Sequence, residues 1–355
     1  MKNNTLITIS NAEYRKHEAM SKSDFALLLK NPNDFWNVKY NGKTLKQTQG
    51  MLVGSCIHAF LEGEEYKDLI VLPSTEKGEI RLEGGALQKK MFQDFEKSPY
   101  FKSEEWDIIT QDDKGKETFK FYHRHYKTEE DLPENAIAFS SMKVVEEMIE
   151  ALKKQEFYVK NALNPKVLKE KSIFFEYNGV KLKARMDGIK ADQGSKQIVI
   201  YDYKSISSLE PRDVLESIKK YAYNLQAYIY MLAVKSIPQF NDYKITFQFI
   251  FQSKVEPNSC SAVELSLDEI TQETLYGRLL SDAKEMLDKG IEVYKKYLSK
   301  GTEKEWLNET TILPLDINHN LYMRKHNEIV ANHYPHLGYE NFYDFENGEL
   351  IKNIQ

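Results

Sequence analysis

The sequence predicts an α/β fold, with a central mixed β-sheet flanked by helices, from three consecutive stretches. Residues 171–187 alternate apolar and polar side chains around Asn178-Gly179, a dipeptide preferred in type I′ turns, and so indicate a β-hairpin. The segment QIVIYDYKS that follows is rich in β-branched and aromatic residues, as core strands are. Residues 211–235 then carry apolar side chains at helical spacing behind Pro211, which suits a first helical turn.

Further elements flank this central block. A helix is expected through DFALLLK, capped by Ser21 or Ser23, before the aromatic segment PNDFWNVKY. Residues 103–131 are mixed and charged, and no element is assigned to them. Strands are expected in DLIVLP, YKITFQFIFQS and SAVELS, and the other predicted helices cover about residues 51–63, 84–98, 140–163 and 268–299.

The chain of 355 residues is long enough for a large core. Single α/β domains are often longer than the typical domain length of about 150 residues. We therefore expect one domain over residues 21–300. A weakly ordered segment over 1–20 would precede it, and an extension over 301–355, whose role the sequence does not indicate, would follow.

Charge and cysteine content exclude several classes of protein. The 49 Lys and Arg residues oppose 54 Asp and Glu, a formal net charge of −5, so the chain is not a basic nucleic-acid coat. A local basic groove could still contact phosphates. The two cysteines, Cys56 and Cys260, exclude a zinc ribbon and a four-cysteine iron–sulfur cluster. Neither a signal peptide nor an apolar run of the ~18 residues that a membrane span needs is found, which predicts a cytoplasmic protein without membrane contact.

Two carboxylates and a lysine form the most informative pattern in the chain. Asp187 and Asp202 are each expected near the end of a strand, where active-site groups are commonly presented. Lys204 points the same way as Asp202, because side chains alternate along a strand with a period of two. Carboxylates suit a hard cation such as Mg²⁺, and an ammonium suits an anionic reacting group. The pattern predicts metal-assisted cleavage of a phosphodiester, although a D…DxK pattern alone also arises by chance among surface charges.

Other candidate residues surround this pattern in the sequence. His58 lies in the apolar helix GSCIHAFLE, where a lone histidine is commonly a packed residue, but a neutral imidazole can also complete a carboxylate metal site. Glu62, one turn later, is either a partner of a metal ligand or a solvent residue. Gln226 and Tyr230 lie one turn apart on the helix over 211–235. Arg185, two positions before the first carboxylate, would contact phosphate or form an ordinary ion pair.

The order of these motifs resembles the PD-(D/E)xK nuclease superfamily, and within it the RecE/RecB/lambda-exonuclease branch. GSCIHAFLE, ARMDG, VIYDYKS and LQAYIY are similar to its G-x-x-x-H helix, strand-terminal aspartate, D/E-x-K strand and Q-x-x-x-Y helix. The opening SKSDFALLLKNPNDFWNVKY also resembles RecE-type exonuclease domains of phages and prophages. The resemblance covers about residues 20–255, and residues 103–135 and 302–355 depart from it.

The resemblance implies a restriction-endonuclease-like core and a Mg²⁺-dependent exodeoxyribonuclease, with Mn²⁺ as a substitute ion. It implies 5′→3′ digestion of linear double-stranded DNA, giving 3′ single-stranded overhangs for homologous recombination. A ring-shaped homo-oligomer and a RecT-type single-strand annealing partner are implied as well. The iron–sulfur cluster of some relatives is not expected, because no cysteine cluster occurs.

We assign roles within this expected site. The metal ligands would be His58, Asp187, Asp202 and the backbone carbonyl of Tyr203. Lys204 would orient the attacking water or offset charge on the phosphorane. The full expected catalytic set is Asp187, Asp202, Lys204, Gln226 and Tyr230, and DNA contacts are expected from Arg185, Gln226 and Tyr230.

Two alternatives remain open from the sequence: a sequence-specific endonuclease of the same superfamily, and a non-cleaving DNA-binding or scaffold protein. All four motifs are intact, whereas decayed sites usually lose the lysine or a carboxylate. Digestion polarity, oligomeric state and the number of metal ions are not indicated by the sequence.

Overall fold

The computed structural model describes residues 4–43, 47–63, 66, 69–156, 159, 164–255 and 257–300, and the backbone of 341–344 and 349–352. The helices are α1 (Asn11–Lys16), α2 (Lys22–Lys30), α3 (Pro32–Tyr40), α4 (Gln49–Glu62), α5 (Lys89–Glu96), α6 (Phe139–Lys154), α7 (Pro211–Lys220), α8 (Tyr223–Lys235) and α9 (Leu275–Lys300). The strands are β1 (Ile70–Leu72), β2 (Glu83–Gly84), β3 (Trp106–Gln111), β4 (Glu117–His123), β5 (Ala136–Ala138), β6 (Leu168–Tyr177), β7 (Val180–Asp192), β8 (Gln197–Ile206), β9 (Lys244–Ser253), β10 (Cys260–Ser266), β11 (Asn341–Asp344) and β12 (Glu349–Lys352).

Five strands form the central mixed sheet, in the order β10-β9-β8-β7-β6. Strands β8 and β9 run parallel, and the other neighbours are antiparallel. The connection between β8 and β9 passes through α7 and α8, because a parallel pair requires a long crossover. Helices pack on both faces of the sheet, so the predicted α/β class with a mixed central sheet is confirmed.

Strand β8 is covered on both faces by two separate cores. Ile198 and Ile200 belong to the core that includes residues of α2, α7, α8 and α9. Tyr201 and Tyr203 belong to the second core, which α4, α5 and α6 close from the other side. All four residues are buried, so the strand that carries the D-x-K sequence has little freedom to move.

The hairpin of β6 and β7 turns at Asn178-Gly179, whose φ angles of +49° and +74° are the left-handed values that a type I′ turn needs. The register set by this turn continues to Leu168 opposite Ile189. The predicted hairpin is therefore confirmed. Strand β7 is longer than the sequence suggested, because it runs to Asp192.

Strands β7 and β8 diverge part-way along their length. They pair only over the last five residues of β7, although β7 pairs with β6 almost throughout. The edge of β7 that β8 leaves is taken by Met20, whose N–H donates to the carbonyl of Lys181 at 2.9 Å. We call this divergence the fork, bounded by Asp187 on β7, Asp202 on β8 and Met20 between them.

Residues 4–20, which the sequence suggested to be weakly ordered, form defined backbone contacts with the hairpin of β6 and β7. Ile7 forms backbone hydrogen bonds in both directions with Ser172 of β6, at 3.0 and 2.9 Å. Helix α1 begins at a capping box built on Ser10. The buried Lys183 side chain donates to the carbonyl of Tyr14 at 2.8 Å. These contacts cover the edge of β6 and lead the chain into the fork.

Several flanking elements differ from their predicted bounds. Ser21 caps α2, and the aromatic segment PNDFWNVKY is helix α3. Helix α6 ends at Lys154, and residues 157, 158 and 160–163 of the predicted helix lie outside the described residues. The unassigned stretch contains the antiparallel hairpin of β3 and β4, and of the predicted extension only β11 and β12 are described, as an antiparallel pair. None of the helices in the described ranges is both long and apolar enough to cross a membrane.

Replacement of Gly188 by alanine should lower the free energy of unfolding by about 1–2 kcal/mol, because cores resist added volume. An alanine Cβ would lie 2.8 Å from Cγ1 of the buried Val167 and 3.4 Å from Cβ of Tyr201. Urea unfolding measures the change.

The matched control is Gly54→Ala in α4, where a Cβ would meet only Ser205 Oγ at 3.9 Å. This variant should be neutral or more stable, because alanine is the better helix former. Equal effects of the two substitutions would contradict the close contact at Gly188.

Candidate active site

The fork brings the two predicted aspartates side by side. The last paired residues before the strands diverge are Gly188 and Tyr201, so the next positions, Asp187 and Asp202, face each other across the opening. The Tyr203 N–H donates to Asp187 Oδ2 at 2.9 Å. The prediction that Asp187 closes its strand is wrong in detail, because this residue marks the end of the pairing with β8 and not the end of β7.

Asp202 is almost completely buried, with 1% of its side chain exposed, and its two oxygens have different partners. Gln226 Nε2, from the first turn of α8, donates to Oδ1 at 2.6 Å. The Oδ2 atom faces the Lys204 ammonium as an ion pair, without an aligned hydrogen bond. Asp202 and Lys204 therefore share a strand face, as the period of two predicts.

The protonation of this pair follows from burial and from the neighbouring charges. Burial raises the pKa of the Asp202 carboxyl to about 6, and the Lys204 ammonium opposes that rise. Burial acts to lower the pKa of Lys204, but the carboxylates of Asp202 and Asp187 outweigh it and raise that pKa above its usual value. Lys204 is therefore a cation at neutral pH.

His58 enters the fork from α4, on the side of the second core. Its Nδ1 atom lies 3.3 Å from Asp187 Oδ2, and its ring meets Tyr203 edge to face at 5.7 Å between centroids. Thr48 caps the helix, and Gly63 ends it in a left-handed conformation. The histidine of the G-x-x-x-H motif, His58, therefore contacts Asp187.

Tyr203 connects the fork to α6 through a buried network. Its hydroxyl donates to Gln252 Oε1 on β9, and Gln252 Nε2 donates to the carbonyl of Met148 at 2.9 Å. Because the Tyr203 N–H holds Asp187, this network fixes the position of the first carboxylate.

Tyr230 lies one turn after Gln226 and is 9% exposed. Burial raises its pKa well above the usual value, and Tyr14 and the two aspartates of the fork add to the rise. The phenol is therefore neutral, and the backbone of Arg185 hydrogen-bonds to it.

The donor chemistry of the fork suits a hard divalent cation, because two carboxylates and an imidazole lie close together. Asp202 Oδ2 is buried, and it accepts no hydrogen bond although the Lys204 ammonium lies beside it. A bound metal ion would give this oxygen a ligand bond. Among the described residues, no three His, Cys, Asp or Glu side chains converge on a single point. Asp202 is engaged by Gln226 and Lys204, whereas Asp187 is engaged by His58.

Comparison with known families agrees with this geometry. Residues 21–296 match the family model of the PDDEXK-like domain of unknown function, DUF3799. The chain belongs to this family. Nucleases with PDDEXK domains typically use divalent metal ions.

Solved structures and curated proteins were compared as well. The crystal structure of a candidate exonuclease from Eubacterium rectale is 16% identical, with a TM-score of 0.47, and the match covers 88% of this chain and 98% of that one. The structure of the protein SSO0001 is 13% identical, with a TM-score of 0.23, and the match covers 54% and 70% of the two chains. No curated protein matches the sequence.

In this PDDEXK-like domain the Arg185 side chain already has protein partners at the fork. Its guanidinium forms an ion pair with Glu170 of β6 and donates to the carbonyl of Ile9 at 3.3 Å. The side chain of Glu62 interacts with that of Glu170. Glu62 therefore points toward the fork and not into solvent. Glu176, on the same strand as Glu170, is exposed.

The sequence predictions missed Glu170, and the hairpin register could have found it. The pairing of Lys169 with Gly188 and of Lys171 with Met186 brackets Glu170 and Asp187. Glu170 has a left-handed φ of +51°, which is unfavourable for a residue with a side chain. Burial raises its pKa, and the Arg185 guanidinium opposes the rise.

Replacement of Lys204 by methionine should raise the pKa of the Asp202 carboxyl above its value of about 6. The substitution removes the ammonium that opposes the effect of burial, so the protonated carboxyl becomes more favourable. Carboxyl ¹³C chemical shifts, followed by NMR across pH in metal-free buffer, measure the change. Lys196→Met, which removes an exposed ion pair with Asp242, should leave this titration unchanged. An unaltered Asp202 titration in the Lys204 variant would contradict the assigned ion pair.

Proposed function

We propose that this PDDEXK-like protein is a divalent-metal-dependent nuclease that degrades linear double-stranded DNA from its ends. The observation that carries the proposal is the fork, where Asp187 and Asp202 adjoin a cationic lysine and a histidine. A buried carboxylate beside a half-buried ammonium is costly to maintain for stability alone, so a functional reason for it is favoured.

The metal, Mg²⁺ in our proposal and Mn²⁺ as a substitute, would be held by Asp187, Asp202, His58 and the carbonyl of Tyr203. When bound, it would acidify a water molecule and polarise the scissile phosphate. The residues of the chain provide the rest. Lys204 places a permanent positive charge beside the reacting phosphate, because the two carboxylates keep its pKa high.

Gln226 and Tyr230 would orient the groups around the reaction. Gln226 fixes the rotation of the Asp202 carboxylate through its 2.6 Å hydrogen bond, so that Oδ2 faces the Lys204 ammonium. The neutral phenol of Tyr230 adds no negative charge that would repel a phosphate. In this mechanism Arg185 holds Glu170 and the N-terminal segment, and any DNA contact would require it to leave that ion pair.

Attack from DNA ends, with 5′→3′ polarity and 3′ overhangs as product, is supported by the ordered resemblance to RecE-type exonucleases. A ring-shaped homo-oligomer in the cytoplasm and a RecT-type annealing partner that takes up the overhangs complete the proposal. The polarity, the oligomer and the partner rest on the same resemblance, whereas the cytoplasmic location rests on the sequence composition alone.

Digestion of linear and closed circular duplex DNA, with Mg²⁺ and with EDTA, tests the activity. We expect loss of the linear form alone, and only with Mg²⁺. Cleavage of the circular form would favour the endonuclease alternative, and intact DNA in every reaction would favour a binding protein. Duplexes labelled at the 5′ or the 3′ end then report the polarity.

Asp202→Ala and Lys204→Ala should each slow digestion of linear duplex by at least about 100-fold, because they remove a metal ligand or the charge beside the phosphate. Circular dichroism verifies the fold of each variant. Glu176→Ala, which removes an exposed carboxylate from the same hairpin, is the control and should digest DNA normally. Normal digestion by either fork variant would refute the assigned site.

A further inference from the structure

Two tyrosine rings lie at the junction between α7 and α8, beside the fork. Tyr221 is 48% exposed, and the centroid of its ring is 5.5 Å from that of Tyr223, with 32° between the ring planes. Ala222 between them has a left-handed φ of +50°. This conformation is unfavourable for alanine, and it ends α7 so that Tyr221 lies on the surface. We call these two rings the tyrosine platform.

Three lysines surround the tyrosine platform. The Nζ atoms of Lys204 and Lys22 lie 5.0 and 5.4 Å from the centroid of Tyr223, and that of Lys220 lies 5.4 Å from the centroid of Tyr221. Lys204 is paired with the buried aspartate of the fork. Among the described residues, Lys22 and Lys220 form no ion pair with a carboxylate, so two lysines beside the platform are available to contact an anion.

The position of Lys22 follows from the fork. Because Met20 occupies the edge of β7 that β8 leaves, α2 begins two residues later beside Asp202 and Lys204. The Lys22 ammonium donates to the carbonyl of Tyr221, at the end of α7. Burial and the nearby Lys204 lower the pKa of Lys22 to about 8, and Asp202 opposes this shift.

We propose that the tyrosine platform binds a single strand of DNA next to the phosphate held in the fork. A base would stack on the exposed ring of Tyr221, and Lys22 and Lys220 would contact the adjoining backbone phosphates. Aromatic rings that alternate with cations are the common means of holding a single strand without sequence preference. That the ligand is DNA rests on the proposed function, because Lys204 of the fork also contacts the Tyr223 ring of the platform.

A stacking surface at this place would serve the proposed exonuclease, because an aromatic ring can replace the base stacking that a separated strand loses. The exposed ring also lies outside both hydrophobic cores, so packing does not require a tyrosine at this position.

Binding of a fluorescent single-stranded oligonucleotide to the full chain in EDTA, measured by anisotropy, tests the proposal without cleavage. Tyr221→Ala should weaken binding about tenfold, and Tyr221→Phe should bind within about twofold of the wild type, because stacking needs the ring and not the hydroxyl. Tyr40→Ala, which removes a tyrosine of similar exposure from α3, is the control and should bind normally. Normal binding by Tyr221→Ala, or equal weakening by Tyr40→Ala, would overturn the proposal.

The salt dependence of binding separates a phosphate contact from a purely structural role of Lys22. Lys22→Met should reduce the slope of log Kd against log salt concentration by about 0.7, the contribution of one phosphate on a single strand. Lys22→Arg should restore the slope, and Lys30→Met, at the other end of α2, should leave it unchanged. A lower Tm with an unaltered slope would show that Lys22 only tethers α2 to α7, and would remove it from the proposed site.

The two proposals fail in different ways. A wild-type chain that binds with this pattern but leaves linear DNA intact refutes the nuclease proposal and supports the platform. A chain that digests linear DNA while Tyr221→Ala binds the oligonucleotide normally refutes the platform alone.

Discussion

The divergence of β7 and β8 is the constraint on which the rest of the site depends. Two paired strands leave no room for a substrate between them, because neighbouring strands lie only about 4.8 Å apart. By separating just before Gly188, the strands keep their rigid pairing on one side and open a polar cleft on the other. Asp187 and Asp202 lie at the point of separation, so the fold sets the distance between them and no flexible loop is involved.

This arrangement places charge where a protein core normally excludes it. Asp202 belongs to a strand buried on both faces, and its ionised form is tolerated because Gln226 and Lys204 engage its two oxygens. Asp187 is less buried and is held by a backbone N–H and by His58. The two aspartates therefore have unequal environments, which is a common basis for dividing roles between two similar groups.

The sequence was sufficient to predict the α/β class and the hairpin, because each depends on local periodicity or turn chemistry. The association of the four motifs was expected from their ordered resemblance to PD-(D/E)xK nucleases. It was not sufficient for features that depend on contacts between distant segments. The order of residues 4–20 comes from pairing with β6 and β7, which no local pattern of those residues reveals. Likewise, Lys22 comes close to Lys204 because of the fork. The position of Glu170 opposite Asp187 could be found only by counting the strand register back from the turn.

The bridge between Met20 and Leu182 has a consequence for the order of folding. These residues are more than 160 positions apart, and contacts of such separation form late because a long loop must first be closed. During synthesis the N-terminal segment leaves the ribosome long before the hairpin that it must join. The hairpin can form on its own local contacts, whereas the cleft acquires its third wall only when the start of the chain returns. A truncated chain that lacks this segment would therefore retain the motifs in its sequence and still lack a complete cleft.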